Sequence, residues 1–114
     1  MIVQPISLTK VVDEQLEAAR TARAGRSAQT VRGGHDHSLR ETVIALAGGQ
    51  QLAEHESPGE ATLQVLRGKV RLIAGDDSCE CSTGDFVVIP PVRHSLEAVE
   101  DSAVLLTVLA AQRG

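Results

Sequence analysis

The spacing of apolar residues changes once along this chain, from a helical period to short runs. Near the start, apolar residues recur every three or four positions and would form one stripe on a helix: Leu8, Val12, Leu16 and Ala19. Ser7 or Thr9 can cap such a helix, and Gly25 is suited to end it. The pattern predicts an N-terminal α-helix. Because the stripe is narrow, it should pack on the chain's own β-structure or on a partner subunit.

From about residue 28 the apolar residues come in short runs that are separated by turn residues. The runs are RETVIALAGG, ATLQVL, KVRLIA, SCEC, FVVIPP, RHSLEAVE and SAVLLTVLA. Gly68, Gly75 and Gly84 fall between runs, and Pro90 with Pro91 ends another. Short strands at regular intervals are typical of an all-β barrel or sandwich. We predict one domain overall, with the helix and its exit loop at 1–27 and the barrel at 28–114.

Composition fits this architecture and argues against a nucleic-acid partner. The 114 residues suit one compact domain, and 42% of them are hydrophobic, with one Phe and no Tyr or Trp. The net charge of −4 gives no surplus for neutralising phosphates, and the chain lacks aromatic platforms for stacking bases. The basic residues Arg20, Arg23, Arg26 and Arg32 are therefore expected on the solvated side of the helix and its exit loop.

The two cysteines and the lack of long apolar runs bear on the cellular compartment of the protein. No run approaches the length of a membrane span, and the first residues lack a signal-peptide pattern, so we expect a cytoplasmic protein without a membrane partner. Cys79 and Cys81 would share one face of a strand, with Cα atoms about 6.5–7 Å apart. That separation is at or beyond the comfortable limit for a disulfide, so we expect two reduced thiols. A soft-metal pair would need further ligands, which the sequence does not place nearby.

The glycine, histidine and proline spacings resemble those of the cupins over about residues 40–108. In the first motif, Gly49 is followed after five residues by His55, and Gly68 closes the motif. In the second, Gly84 is followed after five residues by Pro90. The resemblance implies an all-β double-stranded β-helix, which is the cupin jelly-roll barrel, here preceded by an α-helix.

The same motifs place four metal ligands in cupins, and this chain departs from that set. Ser57 stands at the position of the second His and Ala61 at that of the Glu. Val92 stands at a Gly position, and His94 comes one residue early. The resemblance implies a pocket lined by His55, Ser57, Ala61 and His94. Two imidazoles without an anionic ligand make a weak site, because zinc sites normally have three or four protein ligands.

Other residues could complete the site or leave it without metal. His37, which with His35 lies in the segment GGHDHS, is the first choice for a third ligand, and Glu60 is the second. The bound ion would be one divalent metal: zinc, nickel, iron or manganese. Alternatively, His35 and His37 lie in a solvated loop, while His55 and His94 bond only to each other, to water or to Ser57. In either case the imidazoles of His55 and His94 should lie within roughly 8 Å of each other, the reach of a shared water or metal.

Three functions are consistent with these residues. The first is a barrel that binds a small, apolar or acidic molecule and has partly lost its metal site. The second is a metal-dependent oxygenase, isomerase or lyase that uses His55, His94 and a third ligand. The third is a structural dimer with a vestigial pocket. No catalytic residue is identified, since the chain shows no nucleophile–base pair, phosphate loop or dinucleotide motif. A homodimer is expected because the edge strands of a small barrel need cover, and the helix stripe could supply it.

Overall fold

A computed structural model describes residues 2–34, 36–56 and 59–110. These residues form one α-helix and nine β-strands. The elements are α1 (Leu8–Thr21), β1 (Arg26–Arg32), β2 (Leu39–Leu46), β3 (Gln51–His55), β4 (Gly59–Arg67), β5 (Lys69–Ala74), β6 (Asp77–Ser82), β7 (Phe86–Ile89), β8 (His94–Ala98) and β9 (Ser102–Ala110). The described part of the chain contains no helix that is long and apolar enough to cross a membrane.

Helix α1 begins where the sequence predicts it, and its apolar stripe packs on its own barrel. The Ser7 side chain accepts a hydrogen bond from the Lys10 backbone N–H at 3.2 Å, which satisfies one free donor of the first turn. The buried residues of the helix and those beneath it form one cluster: Val11, Val12, Leu16, Ala19, Val43, Ala45 and Ala103. Because the stripe is covered within the chain, it is not the surface on which a second subunit would dock.

The strands form two antiparallel sheets that enclose the main core. One sheet has the order β1-β2-β9-β4-β7 and the other the order β3-β8-β5-β6. The five-stranded sheet is covered on both faces where helix α1 packs on β2 and β9. Val43 and Ala45 of β2 face the helix, whereas Leu46 joins the cluster between the sheets. Burial on both faces explains the continuous apolar runs of β2 and β9, since a sheet with one face in water would alternate.

Strand β1 was not predicted, and it changes the placement of two arginines. Arg26 and Arg32 begin and end β1 instead of lying in an exit loop, while Arg20 stays on the helix. Only Ser27 and Val31 of β1 are even partly buried. A strand with so little buried surface has almost no apolar alternation to mark it in the sequence.

Gly68 shows why the first motif needs its last glycine. It joins β4 to β5 with a φ of +92°, a conformation that residues with a side chain rarely adopt. A Cβ at this position would collide with the Asp101 carbonyl oxygen and with Ser102. At Gly75, whose φ is +61°, the same Cβ would meet nothing within 4 Å. Gly68 is therefore required both by its backbone conformation and by its neighbours.

Charged side chains join elements on the outside of the barrel. Asp101 accepts a hydrogen bond from the Gly48 N–H at 2.8 Å and pairs with Arg20 of the helix at 2.9 Å. On the outer face of the four-stranded sheet, Arg71 lies between Glu80 and Glu97. Its guanidinium nitrogens are 3.0 Å from a carboxylate oxygen of Glu80 and 3.8 Å from one of Glu97. The contacts of Asp101 link α1 to the loops at one end of the barrel. The ion pairs of Arg71 connect three neighbouring strands.

Candidate functional site

His55 and His94 form an imidazole pair across two neighbouring strands. They are register partners in the β3–β8 ladder, with ring centroids 4.5 Å apart and ring planes at 63°. This distance lies well within the roughly 8 Å expected from the sequence. His94 is 5% exposed, whereas the His55 side chain is open to solvent. The pair thus has one buried and one accessible ring.

A β-bulge in β3 places His55 opposite His94. The register runs from Leu52 opposite Leu96 to His55 opposite His94, so β3 advances three residues while β8 advances two. The extra residue reverses which face of β3 each following side chain occupies. With a regular ladder, Glu54 would share the face of Leu52. The bulge brings His55 to that face, beside His94.

Both imidazoles are oriented by a backbone carbonyl two residues earlier in the chain. His55 Nδ1 lies 3.0 Å from the Ala53 carbonyl oxygen, and His94 Nδ1 lies 2.9 Å from that of Val92. Since a carbonyl oxygen can only accept, Nδ1 carries the proton in each hydrogen bond. This leaves Nε2 as the nitrogen with the lone pair in both neutral rings. Histidine ligands of metals are commonly oriented in this way.

Two carboxylates close to His55, that of Glu54 in β3 and that of Glu56 just after the strand, pair with an arginine. Arg93 forms an ion pair with Glu54 at 3.0 Å and another with Glu56 at 3.6 Å. The Glu54 hydrogen bond, followed by its charge, raises the pKa of the Arg93 guanidinium. Arg93, which precedes His94, is therefore ion-paired with the glutamates on either side of His55. Neither glutamate serves the imidazole pair as an anionic ligand.

The position that carries a glutamate in the family motif is apolar and buried here. Ala61 is 3% exposed and belongs to the core cluster between the sheets. It also borders an open cavity of about 410 Å³, which is lined by Gly59, Glu60, Ala61, Val88, Ile89 and Pro91. A methyl group at this position cannot neutralise a cation, so Ala61 itself offers a ligand apolar contact instead of charge. The described residues that line this cavity do not include His55 or His94.

A third ligand does not join the pair within the part of the chain that the structure describes. No three His, Cys, Asp or Glu residues among 2–34, 36–56 and 59–110 come together so that they could hold a metal ion. His37 is half-buried, and its Nδ1 has no hydrogen-bond partner there. Glu60 borders the cavity beside Ala61. Ser57 and His35 lie outside the described residues. The described donors therefore do not fit the four-ligand metal centre that the family motif implies.

Cys79 and Cys81 form a second close pair, on β6. Both are free thiols, as the sequence predicts, and their Sγ atoms lie 3.8 Å apart. Burial, then the hydrogen bond and charge of Cys79, and then Asp85 raise the pKa of the Cys81 thiol to about 11. The shared strand face could be predicted from the spacing, but the contact between the sulfurs depends on rotamers that the sequence does not reveal.

The barrel is similar to several solved structures. A conserved protein of unknown function from Streptococcus pyogenes is 27% identical, with a TM-score of 0.72 over 81% of this chain and 80% of that one. A cupin superfamily protein from Desulfitobacterium hafniense is 15% identical, with a TM-score of 0.76 over 97% and 94%. Salicylate 1,2-dioxygenase from Pseudaminobacter salicylatoxidans is 20% identical, with a TM-score of 0.73 over 88% of this chain but 33% of the enzyme.

None of the curated proteins matches this chain in sequence. The family model described as "Cupin domain" does match, over residues 42–110, which is more than half of the chain. That segment begins in β2, ends with β9 and includes both histidines of the pair. The sequence match and the two-sheet barrel agree, and the chain belongs to the cupin family.

Proposed function

We propose that this cupin is a small-molecule-binding protein whose pocket keeps two histidines of a partly lost metal site. The observation that carries this proposal is the orientation of the imidazoles. Both hold their Nδ1 protons on backbone carbonyls, so both present Nε2 as a hydrogen-bond acceptor or metal donor. The ligand that we propose has a hydroxyl, N–H or acid group for the imidazoles and an apolar body for the apolar position of Ala61.

A divalent metal would be held weakly by this pair. Zinc, nickel, iron or manganese could bind Nε2 of His55 and His94, but the described residues supply no anionic partner. Without a negative charge, the desolvation of the cation is poorly offset. We therefore propose that recognition of the small molecule relies on the imidazoles themselves.

Ligand binding can be tested with a panel of small aromatic and aliphatic acids, alcohols and amides. The measurement is the shift of backbone amide NMR signals, with and without EDTA. We expect some of these compounds to shift the signals of residues around His55 and His94. The same shifts should appear in the presence of EDTA. The His55→Ala variant should lose this response, whereas the exposed Glu80→Gln variant on the outer face of β6 should keep it. A response that EDTA removes would overturn binding by the imidazoles alone.

A metal-dependent enzyme is the second candidate, because the Nδ1 atom of His37 is buried without a partner among the described residues. A shift of its loop could bring His37 to the pair as a third ligand, and Glu60 is the alternative. Metal analysis after purification without chelators distinguishes the two functions. About one metal per chain, lost in both His55→Ala and His37→Ala, would favour the enzyme. Substoichiometric metal that is unaffected by His37→Ala would favour the binding protein.

We further propose that the protein is a cytoplasmic homodimer. The free thiols suit a reducing compartment. Ile2, Val3 and Ile6 are 81%, 91% and 57% exposed, and a second copy would provide cover for them. Sedimentation should show a dimer at micromolar concentration and a monomer for the triple variant Ile2→Ser, Val3→Ser, Ile6→Ser. A dimer that binds none of the ligands in the panel would indicate the third function, a structural dimer with a vestigial pocket.

A further inference from the structure

The two thiols of β6 are arranged as a pair of ligands. Cys79 and Cys81 stand at alternate positions of one strand, and their Sγ atoms are 3.8 Å apart. A disulfide would require the sulfurs to approach to about 2.05 Å. In a tetrahedral site with Zn–S bonds of about 2.3 Å, by contrast, two sulfur ligands lie about 3.8 Å from each other. The separation in this protein matches chelation of one ion without movement of the strand.

The surroundings of the pair give an ion access from one side. Cys81 is 5% exposed in the core, whereas Cys79 is exposed and borders a cleft of about 150 Å³. The cleft runs between β6 and β7, which are edge strands of the two sheets, and Leu72, Val87 and Val88 contribute to its walls. An ion entering there would meet the Cys79 sulfur, which lies 3.8 Å from that of Cys81, and would keep its remaining positions for water.

We propose that Cys79 and Cys81 form a dithiolate site for a thiophilic divalent cation such as zinc or cadmium. The site is separate from the imidazole pair. Strand β6 is two strands away from β8, which carries His94, so the two sites are about 10 Å or more apart. Binding replaces two S–H bonds with two metal–sulfur bonds and releases two protons to solvent.

Charge and burial set the conditions for binding. Asp85 acts electrostatically on Cys81, and its negative charge favours a nearby cation. Burial, then Cys79, and last this same charge hold the Cys81 thiol protonated at neutral pH, with a pKa of about 11. A cation must therefore displace that proton, so the affinity should rise steeply with pH. The protonated state also slows reaction with oxidants, because the thiolate is the reactive form.

The experiment uses the reduced full-length chain and cobalt(II), whose bonds to thiolate sulfur give near-ultraviolet charge-transfer absorption. Titration at pH 8 should produce this absorption, saturating at one cobalt per chain. Zinc or cadmium should abolish it by competition. Cys79→Ser and Cys81→Ser should each weaken cobalt binding at least tenfold, while circular dichroism confirms the fold. Because Cys79 is exposed, its variant should fold even if Cys81→Ser does not.

The matched control is the double variant His55→Ala, His94→Ala, which removes the imidazole pair and leaves β6 intact. It should keep the charge-transfer absorption, so failure of the imidazole pair to bind a ligand would not affect this result. Absence of the absorption in the wild type, its persistence in Cys79→Ser, or its loss in the folded histidine double variant would each overturn the dithiolate site.

Discussion

His55 faces His94 because β3 contains one residue more than β8 between two points of their ladder. The bulge does two things for the pair. It exchanges the faces of Glu54 and His55, and it positions the Ala53 carbonyl to accept the proton of His55 Nδ1. A backbone irregularity thus determines both which side chain enters the site and which of its nitrogens is left free.

The two histidines should differ sharply in their contribution to stability. His94 is buried, so His94→Ala would leave a void and deprive the Val92 carbonyl of its donor. We expect a loss of about 2–3 kcal/mol in the free energy of unfolding. His55→Ala, at an exposed position, should cost only about 0.5 kcal/mol. Urea denaturation measures both. Equal costs would contradict the assignment of one buried and one accessible ring.

Gly68→Ala should destabilise the barrel more than Gly75→Ala, although both glycines have a positive φ. A Cβ at Gly75 meets open space, so the cost there is that of the left-handed conformation alone, about 1–2 kcal/mol. At Gly68 the collision with Asp101 and Ser102 adds to it, for a total of about 3 kcal/mol or more. Thermal or urea unfolding of the two variants provides the comparison, and equal losses would show that the turn relaxes freely.

Alkaline pH should weaken the fold through Cys81. Its pKa is raised from an ordinary 9.0 to about 11 in the folded chain, so the unfolded chain loses this proton first as pH rises. The free energy of unfolding should therefore fall between pH 9 and 11. Cys81→Ala should remove this part of the slope, whatever its effect at pH 7, and Cys79→Ala should reduce it, because Cys79 contributes to the raised pKa of Cys81. An unchanged slope in Cys81→Ala would be inconsistent with burial of the thiol.

Acid pH should loosen the link between helix α1 and the barrel. The Gly48 N–H, and then Arg20, lower the pKa of Asp101 below its ordinary 3.8. The stabilisation is present above pH 3.8 and is lost as pH falls through the lower folded value. Asp101→Asn keeps an oxygen for Gly48 but removes the charge, so its stability should decline less steeply below pH 4. Urea unfolding across this range tests the expectation, with Asp36→Asn as the control.

Most of the architecture follows from local sequence patterns. The helix has an apolar stripe and a capping serine, and the hairpin around Gly68 joins two apolar runs, so both could be predicted. Strand β1 could not, because it buries little and therefore carries little periodicity. Elements that bury one face show a regular spacing of apolar residues and were predicted. Strand β1 buries little, shows no such spacing and was missed.

The proximity of His55 and His94 was predictable from the sequence, but the geometry of the pair was not. The motif spacing identified His55 and His94, and a distance of about 8 Å was a reasonable expectation. The bulge depends on the pairing of two distant segments, so counting residues along β3 alone would have turned Glu54 inward. The approach of the Cys79 and Cys81 sulfurs is likewise a matter of side-chain torsion, which spacing does not encode.

The arginine at the centre of the four-stranded sheet also limits how the chain can misfold. Arg71 lies opposite Glu80 on one side and Glu97 on the other. If β6 slipped by two residues in either direction, Arg71 would face Ser78 or Ser82 and lose its partner on that side. The correctly paired sheet is thus the arrangement in which both charges are matched, and shifted pairings of this edge strand are disfavoured during folding.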